Sequence, residues 1–510
     1  MDFSSISKLL SDRAFSHATQ KIELVETHIS WVILTGDLAY KIKKPVDLGF
    51  LDFSTLEQRK HFCDLEIELN RRYTPALYLG VVAVTGTPEQ PEIDGGGPVI
   101  DYAVKMVQFS ADALLDTVSK NGGLGNTLVR AIAVELAKTH RDFPAVTSAT
   151  DNPSAMEAAM IQNFDQVKEY AIDKASIATL DSLENWTRQH LETLLPLMAQ
   201  RVQGGHVKDL HGDLHLSNMI VMDGAVKFFD CIEFNKNFRL MDTMADIAFL
   251  AMDMADRGEA AQTVLNDYLE YSGDYAGLAV LDLYRVYFAM VRAKVNLMQE
   301  PIGCDGLQQT TAYQTFRRFI ALATTYAGTK PPFIALMHGV AGTGKSTVAA
   351  QIAEHFGAIR VRSDVERKRL FGLLPDDSSE SIDSNIYSSQ ATQETYAHLL
   401  GVCRSVIAAD LPCVVDATFL QHATRQSFRD LAAELGVPVL IVNCSASQAC
   451  IVQRLEARRH AQGEASEAGI EVMQLQLSRT DPLAVDERCD VLDINTELPF
   501  DAAIIERQLV

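Results

Sequence analysis

The sequence is short of basic residues: 45 lysines and arginines stand against 67 aspartates and glutamates, a formal net charge of −22 at pH 7. That balance excludes a long polyanion as a general partner, because basic surface supplies most of the affinity for a phosphate backbone. It leaves room for a local basic pocket. The eight cysteines form no Cys-x-x-Cys pair and keep no regular spacing, which argues against a disulfide framework and a structural zinc site. A reducing compartment is the expectation. Nowhere do 18 apolar residues run uninterrupted, and the opening segment MDFSSISKLLSDRAF lacks a basic stretch followed by an apolar one. A cytoplasmic protein with no membrane partner is expected. Internal repeats and low-complexity tracts are missing too.

What is present suffices for several cores: 510 residues, 47% of them hydrophobic, a length that suggests about two to four folding units. The most specific signal is HGVAGTGKST, residues 338–347. The strand-length run FIALM precedes it. STVAAQIAEHFG follows with Val348, Ile352, Ala353 and Phe356 at helical spacing, closed by Gly357. A loop between strand and helix with this pattern binds nucleotide phosphates. Gly339, Gly342 and Gly344 let backbone N–H groups wrap the phosphates, Lys345 reaches their outer oxygens, and Ser346 can ligate magnesium. Thr343 and Thr347 complete the predicted nucleotide-binding set.

The runs AIRVR (358–362), CVVD (413–416) and VPVLIVNC (437–444) are further strand candidates, separated by stretches long enough for crossover helices. This predicts an α/β unit with a parallel sheet, whose ligands bind at the carboxyl ends of its strands, where Asp364 and Asp416 fall. Asp364 is placed to take a proton from a substrate hydroxyl, with Arg367 about a turn along to hold the acceptor. Asp416 is placed in the magnesium shell or at the acceptor. Arg454 and Arg458, four apart on one helical face, are placed to close over the transferring phosphates. The plainer alternatives are a helix N-cap for Asp364, a turn residue for Asp416 and a solvated charged face for the arginine pair. In this order GVAGTGKST, SDVERKRL, VVDAT and the arginine-rich stretch resemble the P-loop kinases related to polynucleotide kinases, gluconate kinases and zeta toxins. The resemblance runs over residues 332–510. It implies transfer of the γ-phosphate of ATP to a hydroxyl, with Asp364 as base and Arg367 on the acceptor, and leaves the acceptor open.

More than three hundred residues precede that loop. In HGDLHLSNMIVMDGAVKFFD (211–230) the strand-like runs MIVM and AVKFF flank Asp223-Gly224, a dipeptide favoured in two-residue hairpin turns. Pairing 222 with 225 puts 218 opposite 229, so Asn218 and Asp230 flank one open end, with Asp213 five residues before Asn218. A base and two metal ligands in that order are what kinase phosphotransfer needs. Upstream, HISWVILTGDLAYKIKKPV (28–46) reads as two strands around Thr35-Gly36-Asp37, the second with Lys41 and Lys43 on one face. The next helix opens at the capping box STLE (54–57) and carries Glu66, placed to pair with one lysine. Lys41 is preferred and Lys43 is the alternative.

YKIKKP, Glu66, HGDLHLSN and FFD together resemble the aminoglycoside phosphotransferase and choline kinase family, which has the protein-kinase fold, over residues 20–300. The resemblance implies Asp213 as catalytic base, Asn218 and Asp230 as magnesium ligands, KMVQF (105–109) near the hinge that meets adenine, and His211 as support for the catalytic loop. The first hairpin lacks a full GxGxxG loop, as antibiotic-modifying relatives can. Asp242 and Asp246, one turn apart, are read as cap and network residues. TTYAGTKPPF (324–333) has linker composition, and the boundary is set near 328. It divides a protein-kinase-like domain, 1–328, from a P-loop kinase (AAA-type ATP-binding) domain, 329–510. The expected fold is a multidomain mixture of α/β and α+β. The expected cofactors are ATP and Mg2+, and the expected activity is phosphoryl transfer to hydroxyl-bearing small molecules at two sites. The alternatives are a regulatory protein with one module as nucleotide sensor, or a nucleotide or polynucleotide kinase acting through the C-terminal domain.

Overall fold

The computed structural model of the chain describes all residues except 50, 171–172, 304–305, 330, 379–385, 459–468 and 510. They form two compact units, each discontinuous in sequence: Met1–Asn163 with Leu191–Glu259, and Phe164–His190 with Ala260–Val510. The sequence boundary set near 328 falls just after helix Thr311–Ala327, and the helices from Ala261 to Ala327 belong to the second unit.

In the first unit, β1 (Glu23–Glu26), β2 (Ser30–Leu34), β3 (Leu38–Lys43), β4 (Tyr78–Thr87), β5 (Gln90–Ile93) and β6 (Val99–Val107) make an antiparallel sheet ordered β1-β2-β3-β6-β4-β5. β3 is buried at every position after Leu38, because both of its faces are covered. Tyr40 and Ile42 pack with Trp31, Ile33 and Val84 on one side. Ala39 packs with Cys63 and Ile67 of helix Leu56–Asn70 on the other. Strand alternation puts Lys41 and Lys43 on the Ala39 side, beneath that helix. The helix starts one residue later than the STLE reading placed it. Thr55 is the N-cap, accepting from the Gln58 N–H at 3.2 Å, while the Gln58 carboxamide oxygen accepts from the Thr55 N–H. Ser54 gives up its backbone N–H to Asp52 Oδ1 at 2.9 Å, so the next residue takes the cap. Downstream, β7 (Val207–Asp209) pairs with β10 (Leu240–Asp242), and β8 (Met219–Met222) with β9 (Ala225–Phe228).

The second unit holds β11 (Ile334–His338), β12 (Ile359–Arg362), β13 (Cys413–Asp416), β14 (Val439–Ser445) and β15 (Val491–Asn495) in a parallel sheet ordered β12-β13-β11-β14-β15. The central strand β11 is buried throughout, as a parallel strand covered on both faces requires. Four of the five strands match the expected runs; β15, from VLDIN, was not foreseen. Under the loop after β13 lies a fully buried ion pair. The Arg425 Nε and Nη2 atoms donate to the two oxygens of Glu487 at 2.7 and 2.9 Å, and Nη1 donates to the Phe419 carbonyl. Removing one partner strands the other charge, which costs about 3–5 kcal/mol. Arg425→Met is therefore expected to lower the thermal midpoint of the second unit by several degrees, while Arg404→Met, at an exposed pair with Glu434, should leave it within a degree or so. Differential scanning calorimetry of the two variants checks both.

Candidate functional site

In the first unit the hairpin has the register read from the sequence. Met222 pairs with Ala225 and Met219 with Phe228, and the Phe229 N–H donates to the Asn218 carbonyl at 3.1 Å. Asp223 and Gly224 take φ of +52° and +75°, the left-handed pair that a tight hairpin turn demands. Asn218 Nδ2 donates to the Asp213 carbonyl at 2.9 Å and to its Oδ2 at 3.2 Å. Asp230 has φ of +61°, a costly conformation for a non-glycine residue that clusters at functional sites. It is held by the Asp230 N–H donating to the buried Tyr78 hydroxyl at 3.0 Å. His211 ties the two halves of the motif together. Its Nε2 lies 2.9 Å from the Phe229 carbonyl, and its Nδ1 accepts from the Asp213 N–H at 3.3 Å. Burial lowers the His211 pKa, which keeps the ring neutral with one donor and one acceptor, as these two bonds need.

Lys41 and Lys43 divide between two partners. Lys41 Nζ donates to Glu66 Oε1 at 2.9 Å and pairs with Asp230. Lys43, completely buried, donates to Glu66 Oε2 at 2.7 Å and pairs with Glu233. Lys41 is thus the lysine that reaches Asp230. Glu233 had no local sequence signal. Burial alone raises the Glu66 carboxyl, but the two lysines overcome it and hold the pKa at about 2, against an ordinary 4.5. A carboxyl depressed in the folded state adds stability above its unfolded pKa and loses it as pH falls toward the folded value. Glu66→Gln is therefore expected to cost about 3–5 kcal/mol at pH 7, with the gap to the native chain narrowing between pH 4.5 and 2. Glu233, whose pKa is raised by burial and in part by the Glu66 charge itself, titrates with the opposite sign and is shifted less in the variant, so the comparison is made with Glu233→Gln in both proteins. Thermal melts of the two proteins across that range provide the check.

The remaining expectations for this unit also have places. Gln108 is the fourth residue of the KMVQF segment; its carboxamide oxygen accepts from the Gly36 N–H at 2.8 Å, and its own N–H donates to the Asp37 carbonyl at 2.9 Å. Asp242 is the N-cap of helix Thr243–Asp256 and forms a buried two-point pair with Arg201, at 2.6 and 2.7 Å. Asp246 faces His140 at 3.1 Å. Both aspartates sit in buried structural contacts.

In the second unit the P-loop joins β11 to helix Lys345–Phe356. Gly339, Gly342 and Gly344 have φ of +133°, +83° and +89°, and a Cβ on Gly342 would lie 2.9 Å from the Ile451 side chain. Only glycine fits such a position. No side chain caps the helix start, so its first-turn N–H groups face the loop, the arrangement that receives phosphate. Lys345 is buried and donates to the Val340 carbonyl at 2.7 Å; Ser346 and Thr347 follow in the first turn. Arg454 lies over the loop. Its Nη1 and Nη2 donate to the Thr496 hydroxyl and carbonyl at 2.8 and 2.9 Å, and the Thr496 hydroxyl donates to the Thr343 carbonyl at 2.6 Å. The Arg458 side chain, and residues 459–468 after it, lie outside the described residues. A cavity of about 500 Å3 opens beside the loop, bordered by Gly344, Thr347, Arg454, Thr496, Pro499 and Phe500. Sequence reasoning missed the last three because it missed β15, at whose carboxyl end they fall; the alternation in VLDIN was the available signal.

Across the loop, register pairs Arg362 with Asp416, so the carboxyl ends of β12 and β13 lie side by side. Asp364 is in the first turn of helix Ser363–Leu370, whose N-cap is Arg362. The N-cap alternative for Asp364 therefore does not apply. Asp416 is buried, and its Oδ2 has no hydrogen-bond partner among the described residues. Such an orphan carboxylate oxygen suits a magnesium shell, in which one or two carboxylates share the ion with phosphate oxygens and water. Arg367 is buried as well. Its Nη1 donates to the Ile386 carbonyl at 3.0 Å and the Thr392 hydroxyl at 3.3 Å, and its guanidinium stands 5.3 Å from the Tyr387 ring. It is anchored to the segment 386–392, with Nε unpartnered among the described residues. Tyr396, also unforeseen, is half-buried and lies close enough to feel the charges of Arg367 and Asp364. Among the described residues no three His, Cys, Asp or Glu side chains converge as a metal cage, and no helix is long and apolar enough to cross a membrane.

With this geometry in place, the comparisons with known proteins fall on the same two stretches. Residues 117–281 match the phosphotransferase enzyme family, and residues 334–483 match an AAA domain. Uncharacterized proteins of Mycobacterium tuberculosis and Mycobacterium bovis are 29% identical over 451 residues, covering 87% of this chain and 88% of theirs. Among solved structures, a choline kinase from Cryptosporidium parvum is 10% identical, with a TM-score of 0.37, covering 63% of this chain and 96% of that one. A gluconokinase from Sinorhizobium meliloti is 21% identical, with a TM-score of 0.25, covering 36% and 91%. The chain resembles the aminoglycoside phosphotransferase and choline kinase group in its first part and P-loop kinases in its last. It has the kinase-like fold followed by a P-loop domain with a parallel sheet, and the two family matches, each over less than half of the chain, support a phosphotransferase.

Proposed function

We propose that the protein is an ATP-dependent kinase with two active sites, each transferring the γ-phosphate of ATP to a hydroxyl of a small molecule. The observation that carries this reading is that each site has both a lysine for the phosphates and a carboxylate to take the proton. The first has the Lys41–Glu66 pair with Asp230 in reach of Lys41, and Asp213 beside Asn218. The second has the glycine loop with Lys345, and Asp364 and Asp416 at adjacent strand ends. A pure nucleotide sensor would have no use for the proton acceptors.

At the first site Lys41 grips phosphate, oriented by Glu66; Asn218 and Asp230 would hold magnesium; Asp213 takes the proton of the acceptor hydroxyl. At the second, the loop N–H groups and Lys345 hold the phosphates, while Ser346 and Asp416 would hold magnesium. Asp364 is the base, Arg367 braces the acceptor side, and Arg454 covers the loop. The cavity beside Thr347 and Phe500 receives the nucleotide base. Bound magnesium would supply charge neutralisation between the phosphate oxygens. The test is transfer of label from γ-labelled ATP to a fractionated metabolite pool by the native chain, Asp213→Ala, Lys345→Ala and the double variant. Loss of a different labelled product from each single variant supports two kinase sites. If every product survives Asp213→Ala and vanishes with Lys345→Ala, the two-site reading falls.

A further inference from the structure

The edge strand of the parallel sheet, β12, carries the base of the P-loop site at its end, and an edge strand presents unpaired backbone groups along its outer side. Here that side is covered by helix Ala261–Ser272, which lies outside the AAA match and within the phosphotransferase match. The Asn266 side chain acts as a neighbouring peptide group would. Its Nδ2 donates to the Ala358 carbonyl at 3.1 Å, and its Oδ1 accepts from the Arg360 N–H at 2.9 Å. One helical turn on, the fully buried Glu270 carboxylate accepts from Arg360 at 3.0 Å and from Arg362, the N-cap of helix Ser363–Leu370, at 3.1 Å. The helix ends at Gly273, with φ of +71°, where a Cβ would lie 2.7 Å from Arg369 Nη1. That absence of a side chain lets Arg369 Nη2 donate to the Glu270 carbonyl at 2.6 Å. Beyond it the Tyr275 hydroxyl donates to Glu366 at 2.9 Å, and Glu366, fully buried, also binds Arg369 and His398. Asp364 therefore sits between two clamped positions, Arg362 and Glu366. Each is held by a residue that precedes the P-loop.

We propose that Asn266, Glu270 and Tyr275 are positioning residues for phosphoryl transfer at the P-loop site: they fix the strand end and first helical turn that aim Asp364. The proposal rests on Asp364 being the base of that site. Displacing a reacting group by about an ångström costs on the order of a hundredfold in rate, whereas nucleotide binding rests on the loop and helix after β11; the same upstream helix meets that element through Thr263, whose hydroxyl donates to Glu354 at 2.9 Å, a contact that changes at Asn266, Glu270 and Tyr275 leave in place.

The experiment uses the full chain carrying Asp213→Ala, so that only the P-loop site turns over. It measures release of inorganic phosphate from γ-labelled ATP, with water as the probe acceptor, and the affinity for fluorescent ADP. Glu270→Gln and Asn266→Asp are each made alone and combined with Asp364→Asn. The expected result is a fall in kcat of about tenfold or more, ADP affinity within about twofold of the parent, and no further fall when either change is added to Asp364→Asn, because effects routed through one group do not add. Tyr275→Phe, which removes a single hydroxyl, carries the same test if the other variants fail to fold. The proposal is overturned by an unchanged kcat, by ADP affinity falling in step with kcat, or by a full additional loss on top of Asp364→Asn. If Asp364→Asn alone keeps the parental rate, the assignment of the base falls and the positioning roles go with it.

Discussion

Lys345→Ala is expected to abolish turnover at the P-loop site, lowering kcat on the order of a thousandfold, which corresponds to about 4 kcal/mol of transition-state stabilisation. Among the described residues the ammonium is the cation set inside the loop. It is buried, and it is parked on the Val340 carbonyl, a neutral acceptor that phosphate oxygens displace at little cost. Nothing else described there can replace it, since Arg454 is committed to Thr496 on the outer face of the loop. Stability should change far less than activity, because the hydrogen bond to a neutral carbonyl is worth about 1 kcal/mol. Single-turnover assays with γ-labelled ATP, beside thermal melts, separate the two effects. Residual turnover within tenfold of the native rate would mean that the loop holds nucleotide without catalysing transfer from it.

Asp213→Asn is the second large effect, expected at the kinase-like site: a fall of about 10²–10⁴ in kcat with the ATP KM little changed. Asparagine keeps the shape and can still accept from the Asn218 Nδ2 that now bonds Asp213 Oδ2 at 3.2 Å, yet it takes up no proton. Asp213 is partly exposed, unlike the buried Lys41–Glu66 pair, so the substitution removes chemistry and leaves the surrounding packing alone. Steady-state kinetics on whichever product disappears with Asp213→Ala give both constants. A variant that keeps its kcat within about threefold would remove Asp213 from the base role.

Local pattern accounts for much of what could be read in advance. Asp223-Gly224 fixed the hairpin register, because only a two-residue left-handed turn closes those strands, and the register alone put Asn218 and Asp230 at one end. The glycines of 339–344 and the periodicity after them specified loop and helix for the same kind of reason. Other features rest on partners far apart in sequence. The choice between Lys41 and Lys43 depends on what lies beneath helix Leu56–Asn70, and both lysines share one face of one strand. Glu233, Tyr78 and Tyr396 carry no motif, and their surroundings come from other segments. Arg367 has the spacing of an acceptor-binding arginine, and the fold buries it against residues 386–392.

Local sequence specified the glycine loop at 339–344 and the hairpin motif at 211–230, their order, and the elements that bear them, since turn chemistry and hydrophobic period act over a few residues. Only the tertiary structure decided that Lys41 is the lysine reaching Asp230, and that the cavity beside the P-loop is bordered by the residues after β15. It alone decided that the strand leading to Asp364 is gripped by a helix some ninety residues upstream, as the Asn266 to Ala358 and Arg360 contacts record. Each of these depends on burial that brings distant segments together, where an unpaired charge or an open strand edge costs more than the ordering that satisfies it.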